Sequence, residues 1–136
     1  MKYDQLKSYF GRFGIGNLHY FFQHVDSYLS LEEIDLTYPK DFLKQNSKTF
    51  ELFVFSKKTI WRFKQQNGLL ETSVIKDFKI DNLKIIQSLR DRNTYNKLNI
   101  TFSFGEKIFL DANEDSNEEW RYEYSGYIKE IFELYK

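Results

Sequence analysis

Residues Leu98-Asn99-Ile100-Thr101-Phe102-Ser103-Phe104 alternate apolar and polar side chains without a break. A period of two puts each set on its own face of an extended strand, so this run demands a sheet with one face buried. Gly105-Glu106 supplies a turn, Lys107-Ile108-Phe109-Leu110 returns as a second strand, and a helical pattern follows. In that helix Trp120, Tyr124, Tyr127, Ile128, Ile131 and Leu134 share one face, which has to be buried against the sheet. Ser116 and Glu119 have capping-box spacing, and the acids from Asp111 to Glu119 suit the positive end of a helix dipole.

The same period of two runs through the middle of the chain. Phe50–Phe55 and Thr59–Lys64 read as a hairpin across Ser56-Lys57-Lys58. Asn67-Gly68, in which both residues accept positive φ, then leads into a strand from Leu69 to Asp77. Phe78–Leu89 is apolar enough for a further, partly buried strand, and Arg90-Asp91-Arg92-Asn93 reads as a polar loop. Before residue 30 the period is helical. Leu6, Tyr9, Phe10 and Phe13 mark a first helix, and Gly11, Gly14 and Gly16 loosen its end. Asn17 is placed to cap a second helix, Leu18–Leu29, whose apolar face holds Leu18, Phe21, Phe22, Val25, Tyr28 and Leu29. Leu31–Tyr38 fits a short strand or a helical turn, and Pro39 is expected to end it either way.

These elements predict an α+β fold: a mainly antiparallel sheet, closed by a C-terminal amphipathic helix and preceded by N-terminal helices. A chain of 136 residues is of ordinary single-domain size. One domain over residues 1–136 is therefore expected, with a helical segment over 1–30 and the sheet and closing helix over about 31–136.

Strands followed by one amphipathic helix resemble the pleckstrin-homology-like fold, a partly open barrel of two curved sheets plugged by a helix. The run Lys97–Asp111 before the Trp120 helix is similar to the ending of small bacterial proteins of that type. Three features depart from it. Trp120 stands early in the helix, the segment before Ser30 has no counterpart in the minimal fold, and a seventh strand must come from Leu31–Tyr38. Another small antiparallel sheet capped by helices also fits the element order.

Composition narrows the chemistry. Without cysteine there is no disulfide, thiolate zinc site or cysteine nucleophile. Twenty basic against twenty acidic residues leave no net field to hold nucleic acid, which is not expected as a partner. The aromatic share of 19% accompanies abundant Ile, Asn and Lys and scarce Ala and Pro, a skew that A/T-rich codons produce by themselves. Charges interrupt the first residues, no apolar stretch approaches the roughly 20 residues of a membrane span, and a cytoplasmic location is expected.

No motif carries a recognisable reaction. Asp111-x-Asn113-x-Asp115 matches the opening of an EF-hand loop, but Ser116 stands where glycine is needed and Tyr122 where a bidentate Glu is needed. Gly14-x-Gly16 lacks the third glycine and the preceding strand of a dinucleotide loop. His19 and His24 are five residues apart, about 140° around a helix, and cannot chelate one ion together. The one local basic feature is the hairpin with Lys57, Lys58, Arg62 and Lys64. The expectation is therefore a non-enzymatic module without cofactor or metal, binding a protein or peptide through an exposed sheet edge. The alternative is a module that binds anionic lipid headgroups or phosphate through those four cations, as the basic first hairpin of the resembled fold implies.

Overall fold

The computed structural model describes residues 1–11, 18–30, 33–43, 49–89 and 95–136. The glycine-rich connector, the Asn17 cap, Phe13, the start of the Leu31–Tyr38 run and the Arg90–Asn93 loop lie outside them. Two antiparallel sheets and three helices make an α+β fold. The first sheet has the order β1 (Leu36–Lys40), β2 (Phe50–Phe55), β3 (Thr59–Gln66), β4 (Leu69–Lys76). The second has β5 (Ile80–Gln87), β6 (Asn96–Phe102), β7 (Lys107–Asp111). Helices α1 (Tyr3–Gly11) and α2 (Leu18–Tyr28) precede the sheets, and α3 (Arg121–Tyr135) follows them. No strand pairing joins the sheets into a closed barrel among the described residues.

The alternation read from the sequence sorts side chains into two cores. Tyr38, Phe53, Phe55 and Ile60 point from the first sheet toward Leu98, Ile100 and Phe102 of β6 and toward Tyr124, Ile128 and Ile131 of α3. Their intervening neighbours Leu52, Val54 and Phe63 point the other way, onto Leu6 and Phe10 of α1 and Phe21, Phe22 and Val25 of α2. Both faces of the first sheet are thus covered, and Phe50–Phe55 is accordingly apolar almost throughout. Trp120 touches both cores and meets Tyr9 edge-on at 4.6 Å. The N-terminal helices are clasped where Tyr3 and Lys7 of α1 both bond the Asp26 carboxylate of α2, at 2.5 and 2.7 Å.

Asn67 and Gly68 have φ of 53° and 73°, the paired left-handed geometry that an Asn-Gly hairpin turn supplies at little cost. Two local expectations are corrected. Pro39 does not end the segment before it but lies inside β1, opposite Leu52. The position is tolerable because β1 is an edge strand, and an outward-pointing residue needs no ladder donor. Ser116 and Glu119 do not form a capping box. The Ser116 hydroxyl, buried, donates to the Ala112 carbonyl at 2.5 Å, and Asn117 Oδ1 accepts from the Trp120 N–H at 3.0 Å. Helix α3 therefore starts later, at Arg121, with Trp120 as its N-cap residue and no side-chain cap bond.

A buried polar knot joins β1, β7 and the turn before α3. Asp115 accepts from the Tyr38 hydroxyl at 2.9 Å and from the Asp111 N–H at 2.8 Å, with the Lys40 ammonium at 3.4 Å. Burial raises the Asp115 carboxyl above its ordinary value of 3.8, against the lowering pull of the Asp111 N–H and Lys40. The folded state thus holds this proton more tightly than the unfolded chain. The resulting stabilisation is full below pH 3.8 and is lost as pH rises through the higher folded value. Asp115→Asn keeps an acceptor for both donors and should gain stability relative to wild type as pH rises from 4 toward neutrality, read from urea midpoints. A pH-independent difference would contradict this reading. Asp115→Ala strands two buried donors and should cost about 2–4 kcal/mol. Gly68→Ala meets no clash but must adopt positive φ, and should cost about 1 kcal/mol in the same assay.

Candidate functional site

The inner face of the first sheet changes character along its length. Strand register aligns three rows across it: Leu36, Phe55, Ile60 and Ile75; then Tyr38, Phe53, Arg62 and Ser73; then Lys40, Glu51, Lys64 and Glu71. The first row is apolar and belongs to the core under α3. The last alternates in sign from strand to strand, the arrangement that stabilises directly opposed cross-strand pairs. Arg62 lies over its row neighbour Phe53, 5.6 Å from the ring centroid, and reaches Glu51 with Nε and Nη2 at 3.0 and 3.1 Å. That bidentate pair with Glu51 raises the guanidinium pKa further.

This arrangement bears directly on the four cations singled out in the sequence. Arg62 and Lys64 share a face, but Arg62 is held by Glu51, and Lys64 stands between Glu51 and Glu71 in register. Lys57 and Lys58 are exposed in the β2–β3 turn. They lie six or seven residues from Lys64, roughly 20 Å along an extended strand. The four do not converge, and with β1 in place the hairpin that carries them is the second of the sheet and not the first.

A cleft of about 390 Å³ opens where β7 passes over the charged end of this face. Its floor includes Lys40, Glu51 and Arg62, and its wall includes Lys107 and Phe109. The Lys40 ammonium bonds the Phe109 carbonyl at 3.2 Å, so a cation already covers part of the β7 edge.

The remaining sequence candidates have structural work. Asp111 accepts from the N–H groups of Asn113 and Glu114 at 2.9 and 3.3 Å, with Lys97 at 3.6 Å, while Asp115 anchors Tyr38. The two carboxylates therefore tie a turn. Among the described residues no three His, Cys, Asp or Glu side chains are placed to hold a metal ion. His19 and His24 are exposed on α2. Tyr38 and Tyr124 are pushed well above the ordinary phenol pKa by burial, and each hydroxyl donates within the fold, Tyr124 to the Pro39 carbonyl at 2.5 Å.

The outer margin of the first sheet is different. The Asp77 N–H bonds the Lys58 carbonyl at 3.1 Å, and in an antiparallel ladder the bonding direction alternates along the strand. Odd-numbered residues of β4 therefore bond β3, and the backbone groups of Leu70, Thr72, Val74 and Lys76 point outward. No described residue bonds them. The other edges differ in how far they are covered. The β1 edge is closed by Met1, whose carbonyl takes the Thr37 N–H at 2.8 Å and whose amino group reaches the Thr37 carbonyl at 3.3 Å; Pro39 lacks an N–H. The β5 edge has a register shift at its start, between Ile80 and Asn82, while the outward backbone groups of Leu83, Ile85 and Gln87 are bonded by no described residue; no patch of described Trp or Tyr residues like that beside β4 accompanies them. The β7 edge is covered by Lys40, and beyond it Asp115 takes the Asp111 N–H.

Beside the open β4 edge, the helices leave an aromatic patch on the outer face. Val74 is opposite Trp61, Trp61 stacks on Phe63 at 5.9 Å, and Tyr28 leans on Trp61 at 5.9 Å while remaining 54% exposed. Comparison of the chain with protein-family models, curated proteins and solved structures finds no match in any of the three.

Sequence reasoning expected an exposed edge without assigning it to a strand, and did not bring Tyr28 to Trp61. The Asn-Gly turn does carry the signal for the edge, because a two-residue hairpin closes on a bonded pair, here Gln66 and Leu69, and so sets which β4 residues face outward. Of the four hairpin cations, Arg62 and Lys64 are matched by carboxylates in the charge rows, so any contribution of this hairpin to salt-dependent binding of anionic vesicles should come from Lys57 and Lys58. In a co-sedimentation assay, neutralising those two should weaken binding, and neutralising Arg62 and Lys64 should leave it unchanged. The reverse result would show that the charged rows are not compensated.

Proposed function

We propose that this protein is a non-enzymatic, cytoplasmic interaction module of pleckstrin-homology-like architecture that captures an extended segment of a protein or peptide along β4. The architecture is supported by the four-plus-three strand division and the closing helix α3. The observation that carries the function is the outward-pointing, unbonded backbone of Leu70, Thr72, Val74 and Lys76 next to Tyr28, Trp61 and Val74. Main-chain pairing at an open edge supplies affinity, and side-chain contacts beside it supply selectivity. Trp and Tyr are the residue types that most often dominate binding energy at interfaces.

Proline substitutions separate docking from folding. Val74→Pro deletes an outward N–H, at an edge position where proline is tolerated, and should change stability by about 1 kcal/mol or less. Ser73→Pro deletes a donor to β3 and should cost about 2 kcal/mol or more. Partners retained from native cytosol at near-stoichiometric levels by the wild-type chain should be lost with Val74→Pro. On partner addition, hydrogen exchange should slow at the amides of Leu70, Thr72, Val74 and Lys76. Full retention of every partner by a folded Val74→Pro variant would overturn the assignment.

A further inference from the structure

We infer that the occupant of the β4 edge is a second copy of this chain, paired antiparallel to β4 about a two-fold axis at Thr72. This pairing presupposes β4 as the docking edge and adds the identity of the partner.

The register follows from β4 itself. The outward-bonding residues are even-numbered, and a two-fold pairing must set even against even, so the central choices of axis are Glu71, Thr72, Ser73 and Val74; at Glu71 that side chain would face its own counterpart, a repulsive pair. With the axis at Val74, Glu71 faces Asp77 of the second copy, a repulsive pair. With the axis at Ser73, Glu71 faces Ile75 and Lys76 faces Leu70, setting each charge against an apolar side chain. With the axis at Thr72, Thr72 faces itself, Leu70 faces Val74, Leu69 faces Ile75 and Glu71 faces Ser73. Apolar groups then oppose apolar groups and polar groups oppose polar ones, the cross-strand combinations that stabilise a sheet.

Charge across the seam also selects Thr72. Within one chain the last row reads Lys40, Glu51, Lys64, Glu71. Ser73 is the register partner of Arg62. A Glu71 set opposite Ser73 of the second copy is therefore followed across the seam by that copy's Arg62, and the alternation of sign continues. The two Glu71 carboxylates sit on a diagonal, about 7–8 Å apart at the backbone, each with Lys64 beside it in its own chain and Arg62 beyond it in the other. On the outer face Leu70 of the second copy meets Val74 beside Trp61, extending the aromatic patch across the seam. About six backbone hydrogen bonds form, and two four-stranded sheets become one continuous sheet.

The absence of cysteine makes the register directly testable. Sedimentation velocity over a concentration series should show the full chain passing from monomer to dimer, and Val74→Pro should hold it monomeric. Under diamide oxidation, Thr72→Cys should form a disulfide-linked dimer. Its Cα atoms would lie about 5.5 Å apart, within disulfide range. Leu70→Cys and Val74→Cys should not cross-link, because each would lie roughly 13 Å along the strand from its own counterpart. A monomer at every concentration with no Thr72→Cys cross-link overturns self-pairing. If Val74→Pro nevertheless loses other captured proteins, docking at β4 stands and only its occupant is wrong. A dimer untouched by Val74→Pro and not cross-linked through residue 72 overturns self-pairing at this edge; if that variant also keeps its other partners, docking at β4 falls with it.

Discussion

Burial of both faces of the first sheet is the constraint on which the rest of the architecture depends. Phe53 and Phe55 need the second sheet and α3, while Leu52, Val54 and Phe63 need α1 and α2. A bare sheet of this composition would leave one of those sets in water, at roughly 1.5–3 kcal/mol for each large side chain. The N-terminal helices are therefore part of the core, and Tyr9 against Trp120 ties them to the start of the closing helix. The same requirement explains why α2 is apolar along Leu18, Phe21, Phe22 and Val25 yet ends in the exposed Tyr28, where the sheet beneath it runs out toward β4.

Electrostatics follow from that layout. The closing helix makes one end of the inner face apolar, and the other end, free of it, carries the row of alternating charges. Pairing of Arg62 with Glu51 over the Phe53 ring uses the cation within the sheet, so a stretch that is basic along the chain is balanced in space. The buried Asp115 plays a comparable part at the first strand, holding Tyr38 and Lys40 from a turn more than seventy residues away in sequence. Both arrangements place charge where it organises strands.

Edges distinguish what is finished in this fold from what is open. A long unpaired edge invites further pairing, and folded proteins block it with proline, irregular register, charge or covering chain. β1 has the proline and the covering residue, β7 the covering cation, and β5 an irregularity at its start only. β4, joined to β3 by the tight Asn67-Gly68 turn, has none of them along its outward-pointing groups until Lys76. Its aromatic neighbours Tyr28 and Trp61 are what set this open edge apart.

Much of this was determined by local sequence. Alternation in Leu98–Phe104, positive φ at Asn67-Gly68 and the helical face with Tyr124, Ile128 and Ile131 depend on neighbours within a few residues; the last two are found where the pattern puts them, and the strand is found but ends at Phe102, leaving Ser103 and the exposed Phe104 in the turn. Pro39 inside a strand, Ser116 turned away from the helix it seemed to cap, and cations neutralised by their register partners were decided only by tertiary structure. Each depends on a residue distant in the chain: an edge with no ladder to satisfy, a buried turn competing for a hydroxyl, a carboxylate on the adjacent strand. Periodicity specifies which face a side chain takes, and only the packed sheets specify what stands opposite it.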